Sequence, residues 1–205
     1  MRTKKALLSA LCAGLLVVGS VMGTMAYLTD YEKVENTFTV GHVDITMDEA
    51  KANADGSLVE NAARVKENEY HLLPGHTYAK DPTVHVEAGS EDCYIFVKIE
   101  NGIAAIESTA DSYASIADQV SANGWTKLDG VDNVYYQEWA KGSADVDLEI
   151  FANFTIGAEQ TNDTMDDYGN AKVDVTAYAV QKDGLNVTEA WGAISETAYN
   201  VPSNS

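Results

Sequence analysis

Short runs of alternating apolar and polar residues restrict the fold of this chain more than any other feature. The clearest run is residues 94–100, in which Ile95 and Val97 share one face while Tyr94 and Phe96 share the other. Because successive side chains of a β-strand point to opposite faces, this spacing predicts a strand. Both faces are apolar at one end of the run, so we expect this strand to be central in its sheet.

The same alternation recurs along most of the chain. It predicts further strands at residues 37–47, 77–88, 125–128, 134–140, 148–156 and 173–179. The parity changes at Gly41, where a β-bulge would redirect the side chains. Asp129 and Gly130 form a turn between two of these strands, and residues 157–170 are predicted to be a polar loop.

One amphipathic helix is predicted after the central strand. Its apolar stripe has the spacing of a single helix face: Tyr113, Ile116, Ala117 and Val120. Ser108 or Thr109 can cap its start, and Asn123 with Gly124 suits its end. A short helical turn is predicted to begin at Thr188.

These elements predict an all-β fold, an antiparallel two-sheet jelly-roll sandwich with one inserted amphipathic helix. An immunoglobulin-like sandwich is the alternative, but its paired cysteines are missing. The 205 residues suit one domain with a full core. We assign residues 1–26 to a signal peptide, residues 27–37 to an N-terminal arm and residues 38–205 to the jelly-roll domain.

The first 26 residues have the layout of an export signal. A basic start at residues 2–5 precedes an apolar run at residues 6–22, and Thr24 and Ala26 are small residues at the −3 and −1 positions. We therefore predict cleavage after Ala26 by a signal peptidase, and secretion. A retained membrane anchor is the alternative; after cleavage no stable membrane span is predicted.

The predicted mature chain is strongly acidic and holds a single cysteine. Cleavage leaves 10 Lys and Arg against 32 Asp and Glu, a net charge of −22. Such a surface repels nucleic acid and anionic membrane, so neither is an expected partner. Cys12 leaves with the signal, so Cys93 has no partner for an internal disulfide and the core must hold the fold.

Several local patterns near the signal carry a family resemblance. The sequence Ala26-Tyr27-Leu28-Thr29-Asp30 is followed by Asn36-Thr37-Phe38-Thr39-Val40-Gly41, then by Leu73-Pro74-Gly75 and the strand that begins at Cys93. In this order they resemble the TasA/CalY (camelysin) family of exported proteins from Gram-positive bacteria. The resemblance is clearest up to about residue 100.

The resemblance implies a secreted jelly-roll subunit of biofilm-matrix fibres, in the extracellular matrix or at the cell surface. It implies that the mature N-terminal arm pairs as a donor strand with the next copy or a related subunit. The candidate contact residues of the arm are Tyr27, Leu28, Tyr31 and Val34. A disordered leader and an edge strand of the arm's own subunit are the alternatives.

The name camelysin also carries a metallopeptidase label, so a zinc endopeptidase is a rival function. The four histidines are His42, His71, His76 and His85. None of them forms the H-E-x-x-H spacing that places two zinc ligands on one helix face. His85 alternates with apolar neighbours, which puts it on the outward face of a strand. We therefore predict a protein that is not an enzyme.

Two binding functions remain as alternatives. Weak calcium binding is possible at a loop cluster of oxygen ligands, formed by Asp163, Asp166, Asp167 and Asn170, although its spacing is not that of an EF-hand. No other cofactor is expected. Tyr135, Tyr136 and Trp139 could stack on sugars in a monomeric carbohydrate-binding module, or pack inside the core.

Overall fold

The computed structural model describes residues 29–33, 36–38 and 43–199. Within them the chain is mostly antiparallel β-sheet in three sheets, which confirms the predicted all-β class. The strands are β1 (Thr29–Lys33), β2 (Asn36–Phe38), β3 (Ile45–Asp48), β4 (Thr77–Ala79), β5 (Thr83–Val86), β6 (Cys93–Asn101), β7 (Thr126–Lys127), β8 (Val134–Trp139), β9 (Val146–Glu149), β10 (Asn153–Thr155) and β11 (Val173–Gln181). The helices are α1 (Ile116–Ala122), α2 (Asn162–Asp166) and α3 (Val187–Tyr199).

The largest sheet has six strands in the order β2-β1-β11-β6-β8-β7. Strand β6 lies between β11 and β8, so the predicted central position of residues 94–100 is confirmed. It pairs with β11 along all nine residues, from Asn101 opposite Val173 to Cys93 opposite Gln181. The predicted hairpin around Asp129 is also present, as β7 paired with β8.

Two smaller sheets face the six-stranded sheet across the main core. One has the order β3-β5-β9 and the other pairs β10 with β4. Ile95 and Val97 of the large sheet share this core with Val84 of β5 and Tyr78 of β4. All four side chains are fully buried. At about 25 cal/mol per Å² of apolar surface, such burial is the main source of stability.

A second core covers the opposite face of the six-stranded sheet. Phe96 is buried there under α3, with the centroid of its ring 5.4 Å from that of Trp191. The ring of Tyr178 in β11 meets Trp191 edge-on at 5.7 Å. The large sheet is therefore covered on both faces, which explains why β6 is apolar on both.

The C-terminal helix is longer than predicted and begins earlier. We expected a short helical turn capped by Thr188, whereas α3 extends over 13 residues. The side chain of Asn186 accepts hydrogen bonds from the backbone N–H groups of Thr188 and Glu189, both at 3.0 Å. Asn186, rather than Thr188, therefore satisfies the first turn.

Three predicted strands are each divided between two sheets. Residues 77–88 form β4 and β5, and residues 148–156 form β9 and β10. Residues 37–47 contribute to β2 and β3, and the bulge predicted at Gly41 lies outside the described residues. Alternation continues through such corners because both sheets turn their inner faces toward one core.

The inserted helix begins later than its apolar stripe suggested. Ser115 caps α1 and exchanges hydrogen bonds with Asp118, so Ser108 and Thr109 are not its caps. Tyr113 lies before the helix and is exposed. The predicted end at Asn123 is confirmed. A further short helix, α2, lies within residues 157–170, which we predicted to be only a loop.

Candidate assembly interface

The described part of the N-terminal arm lies at one edge of the six-stranded sheet, where β1 is the second strand from the end. Strand β1 is antiparallel to β11, with Thr29 opposite Val180 and Glu32 opposite Ala177. On its outer side β1 pairs with β2, where Lys33 lies opposite Asn36. The arm and the residues after it therefore make a hairpin that completes one edge of the sheet through backbone hydrogen bonds.

Small side chains mark the segment of β11 that receives the arm. Ala177 and Ala179 are fully buried in the main core, and Val180 is fully buried in the second core. Alanines at the two inward positions leave room for β3, which packs against both β1 and β11. The alternation of residues 173–179 predicted that these alanines share one face of a strand, but it did not indicate that this strand pairs with the arm.

Of the predicted arm contacts, the structure describes one. Tyr31 lies in β1, opposite Tyr178 of β11 and Phe38 of β2. The predicted cleavage residue Ala26 and the other predicted contacts, Tyr27, Leu28 and Val34, lie outside the described residues. In the part of the chain that the structure describes, no helix has the length and apolar character needed to cross a bilayer.

A histidine between two carboxylates links the strands of the three-stranded sheet. His85 of β5 contacts Asp147 of β9 through Nδ1 at 2.7 Å and Asp48 of β3 through Nε2 at 2.9 Å. Arg64 also pairs with Asp48, and with Asp81 at 2.9 Å. As predicted, His85 points outward from the core, since Val84 and Val86 beside it are buried.

The two carboxylates favour the charged imidazolium. Burial opposes that charge, but the hydrogen bonds that Asp48 and Asp147 accept from the ring outweigh it and raise the pKa of His85. Burial likewise opposes the charge of Asp48, but hydrogen bonds from Arg64 and His85 lower the pKa of that carboxyl. The cluster is electrostatic and joins all three strands of the sheet.

Stability should therefore fall as the pH rises through the folded-state pKa of His85. A raised pKa means that the stabilisation is complete below the unfolded value of about 6.5 and is lost above the folded value. We expect a loss of about 0.5–1 kcal/mol between pH 6 and pH 8, because the cluster is partly exposed. Urea titrations at both pH values measure this loss in the free energy of unfolding.

Substitution of the histidine should remove this pH dependence. His85→Gln should unfold with nearly equal free energy at the two pH values, whereas the control His76→Gln should keep the wild-type difference. His76 is exposed and lies outside the cluster. An unchanged pH dependence in His85→Gln would contradict the assignment of the linkage to this cluster.

The predicted calcium ligands lie in or next to α2. Asp163 and Asp166 are in α2, and Asp167 follows it; all three are exposed. Among the described residues, no group of three or more His, Cys, Asp or Glu side chains is arranged to hold a metal ion. His42 lies outside the described residues.

The other candidate chemical groups are buried or half-buried. Tyr135 and Trp139 are in the main core, and Tyr136 packs edge-on against Tyr94 at 6.3 Å. Two of the three rings therefore pack inside the protein, while Tyr136 is half-buried. Cys93 begins β6 and is fully buried, and burial raises the pKa of its thiol to about 12. Near neutral pH the thiol is therefore protonated.

The described residues define an antiparallel β-sheet protein in which an N-terminal strand completes a sheet edge. Comparisons of the chain with protein-family models, with curated proteins and with solved structures gave no match.

Proposed function

We propose that this chain is a secreted, non-enzymatic subunit of an extracellular fibre, built on a jelly-roll sandwich of the TasA/camelysin kind. The observation that carries the proposal is the position of β1, a strand near the N-terminus that pairs with the edge of β11 over four residues. A strand in that position can complete the same edge in a second copy. Export and cleavage after Ala26 would leave this strand two residues from the new N-terminus.

Exchange of the arm between copies is thermodynamically plausible because it replaces each contact with an identical one. The backbone bonds between β1 and β11 are the same whether the arm belongs to its own chain or to a neighbour. A head-to-tail contact of this kind does not close on itself, so it extends a filament. Pairing at a sheet edge is also a common mode of peptide recognition.

The composition of the arm fits pairing through the backbone. Residues 27–37 contain Asp30, Glu32 and Glu35 beside Lys33, which offer little apolar area for affinity. The bonds along β11 therefore supply most of the interaction in this proposal. Apolar contacts at Tyr27, Leu28, Tyr31 and Val34 are the proposed additions.

Proline in the arm tests the proposal directly. Proline cannot donate a backbone hydrogen bond. Alternate N–H groups of β1 point toward β11, so replacing two consecutive residues, Thr29→Pro with Asp30→Pro, removes a donor to β11 whichever of the two residues supplies it. We expect cells that express this full-length variant to secrete a soluble monomer, while the wild-type chain forms filaments. Electron microscopy and sedimentation of the secreted protein distinguish the two.

The matched control is Thr29→Ala with Asp30→Ala, which removes the same side chains but keeps both N–H groups. It should form filaments, and mass spectrometry should show the same mature N-terminus in all three proteins. Filaments from the proline variant, or none from correctly cleaved wild-type protein, would contradict arm exchange.

A further inference from the structure

Part of the β11 edge has no neighbouring strand among the described residues. Strand β11 pairs with β6 along its full length, but β1 covers only Ala177 to Val180 on the other side. Residues 173–176 are thus paired on one side alone within the described chain. Since alternate residues of a strand direct their N–H and C=O groups to opposite sides, this segment presents backbone groups for another strand.

The open segment borders a large groove. Its volume is about 880 Å³, and Val173, Asp174 and Val175 line one side. Residues 66–73, 165–166 and 168–175 are among those that line it. We call this space the β11 groove. A groove of this size beside an unpaired strand segment can accept an extended peptide.

The floor of the groove is apolar and already ordered. Phe154 and Ile103 are buried there, and the ring of Tyr70 meets that of Phe154 edge-on at 5.5 Å. The hydroxyl of Tyr70 donates to the carbonyl of Ala79 at 2.7 Å. Met165 also lines the groove, and its flexible side chain can adapt to an apolar group. The floor can therefore take apolar side chains with little rearrangement.

The rim of the groove is acidic. Four exposed carboxylates, Glu67, Glu69, Asp166 and Asp174, line it together with two exposed lysines, Lys66 and Lys172, so the exposed charge is net negative. Glu49 also lines the groove, but its buried carboxylate is already paired with Lys80 at 2.6 Å. The arm of another copy carries mostly acidic side chains and would be repelled by this rim. Charge complementarity instead favours a cationic occupant.

We propose that the β11 groove binds an extended cationic segment of another protein, which adds as a short strand beside residues 173–176. Its apolar side chains would enter the floor, and alternate Lys or Arg side chains would meet the acidic rim. Four residues of edge correspond to roughly 13 Å of strand, so the recognised segment is short. This site is separate from the segment of β11 that β1 occupies, and it does not require fibre assembly.

Calorimetric titration of the secreted, full-length gene product tests the charge requirement. The probe is a capped ten-residue peptide that alternates Lys and Val, and the control peptide replaces each Lys with Glu. We expect saturable binding of the first peptide only. Glu69→Lys with Asp174→Lys should weaken it at least tenfold, while Asp129→Lys with Asp132→Lys, which changes the charge equally outside the groove, should not.

N-methylation of the peptide tests strand addition. One peptide is methylated at every Lys and a second at every Val, so each loses the N–H groups of one side of the strand. In an added strand only one side faces β11, so one peptide should lose binding and the other should retain it. Equal behaviour of the two would overturn strand addition.

Three other results would overturn the proposal. They are absence of binding by the Lys-Val peptide, equal weakening in both charge variants, and competition by a peptide of residues 27–37. The last result would assign the groove to the arm of a second copy. None of these results depends on whether the wild-type protein forms filaments, so failure here is distinct from failure of the fibre proposal.

Discussion

Gly56→Ala is expected to lower the free energy of unfolding by about 3–5 kcal/mol, through strain and overlap together. The residue has a φ of +84°, where a side chain is disfavoured. An added Cβ would lie 2.6 Å from Cα of Tyr78 and 3.0 Å from the carbonyl oxygen of Thr77. Neither of those backbone atoms can move easily, because β4 is paired with β10 on its other side.

Gly130 provides a matched control. It has a φ of +74°, but nothing lies within 4 Å of its added Cβ. Gly130→Ala should therefore show only the conformational effect, about 1–2 kcal/mol. Urea titration followed by circular dichroism compares the two. Similar effects in both variants would mean that the contact between residue 56 and β4 has no role in stability.

Lys80→Met is expected to destabilise the protein by about 3 kcal/mol, because it leaves a buried carboxylate without its cation. Nζ of Lys80 lies 2.6 Å from Oε2 of Glu49, and the side chains are 12% and 4% exposed. Asn68 still donates to the other carboxylate oxygen at 2.8 Å, so part of the interaction survives. The same urea titration measures the effect.

An exposed ion pair serves as the control. Lys98 and Glu100 lie 2.8 Å apart with side chains 41% and 62% exposed, so Lys98→Met should change stability by less than about 1 kcal/mol. Adding Glu49→Leu to Lys80→Met should recover part of the loss, since the unpaired charge is then gone. A larger loss in the double variant would show that lost packing, rather than the unpaired charge, is responsible.

Local sequence patterns predicted the strands well but not their division between sheets. The alternation around Ile150 reports only which side chains face the core, and both smaller sheets face the same core. Phe151 carried a usable signal, because it is buried beside Ile150 and so breaks the alternation where the chain passes from β9 to β10. Lys80 and Pro82 mark the corresponding passage from β4 to β5.

Contacts between side chains that are far apart in the sequence could not be predicted from local patterns. His85 and Asp147 are 62 residues apart, and only the pairing of β5 with β9 brings them together. The same holds for Glu49 and Lys80, which are 31 residues apart in the sequence. The outward position of His85 was predictable from its parity, whereas its partners were not, because sequence spacing does not determine strand order.

Because both faces of the large sheet are buried, tryptophan fluorescence can report on the unfolding of each face. The chain has three tryptophans, of which Trp125 and Trp139 are in the main core while Trp191 lies against Phe96 on the opposite side. Intrinsic fluorescence therefore samples two separate apolar compartments. With Trp125 and Trp139 replaced by phenylalanine, emission from Trp191 alone would show whether α3 detaches before the sandwich opens.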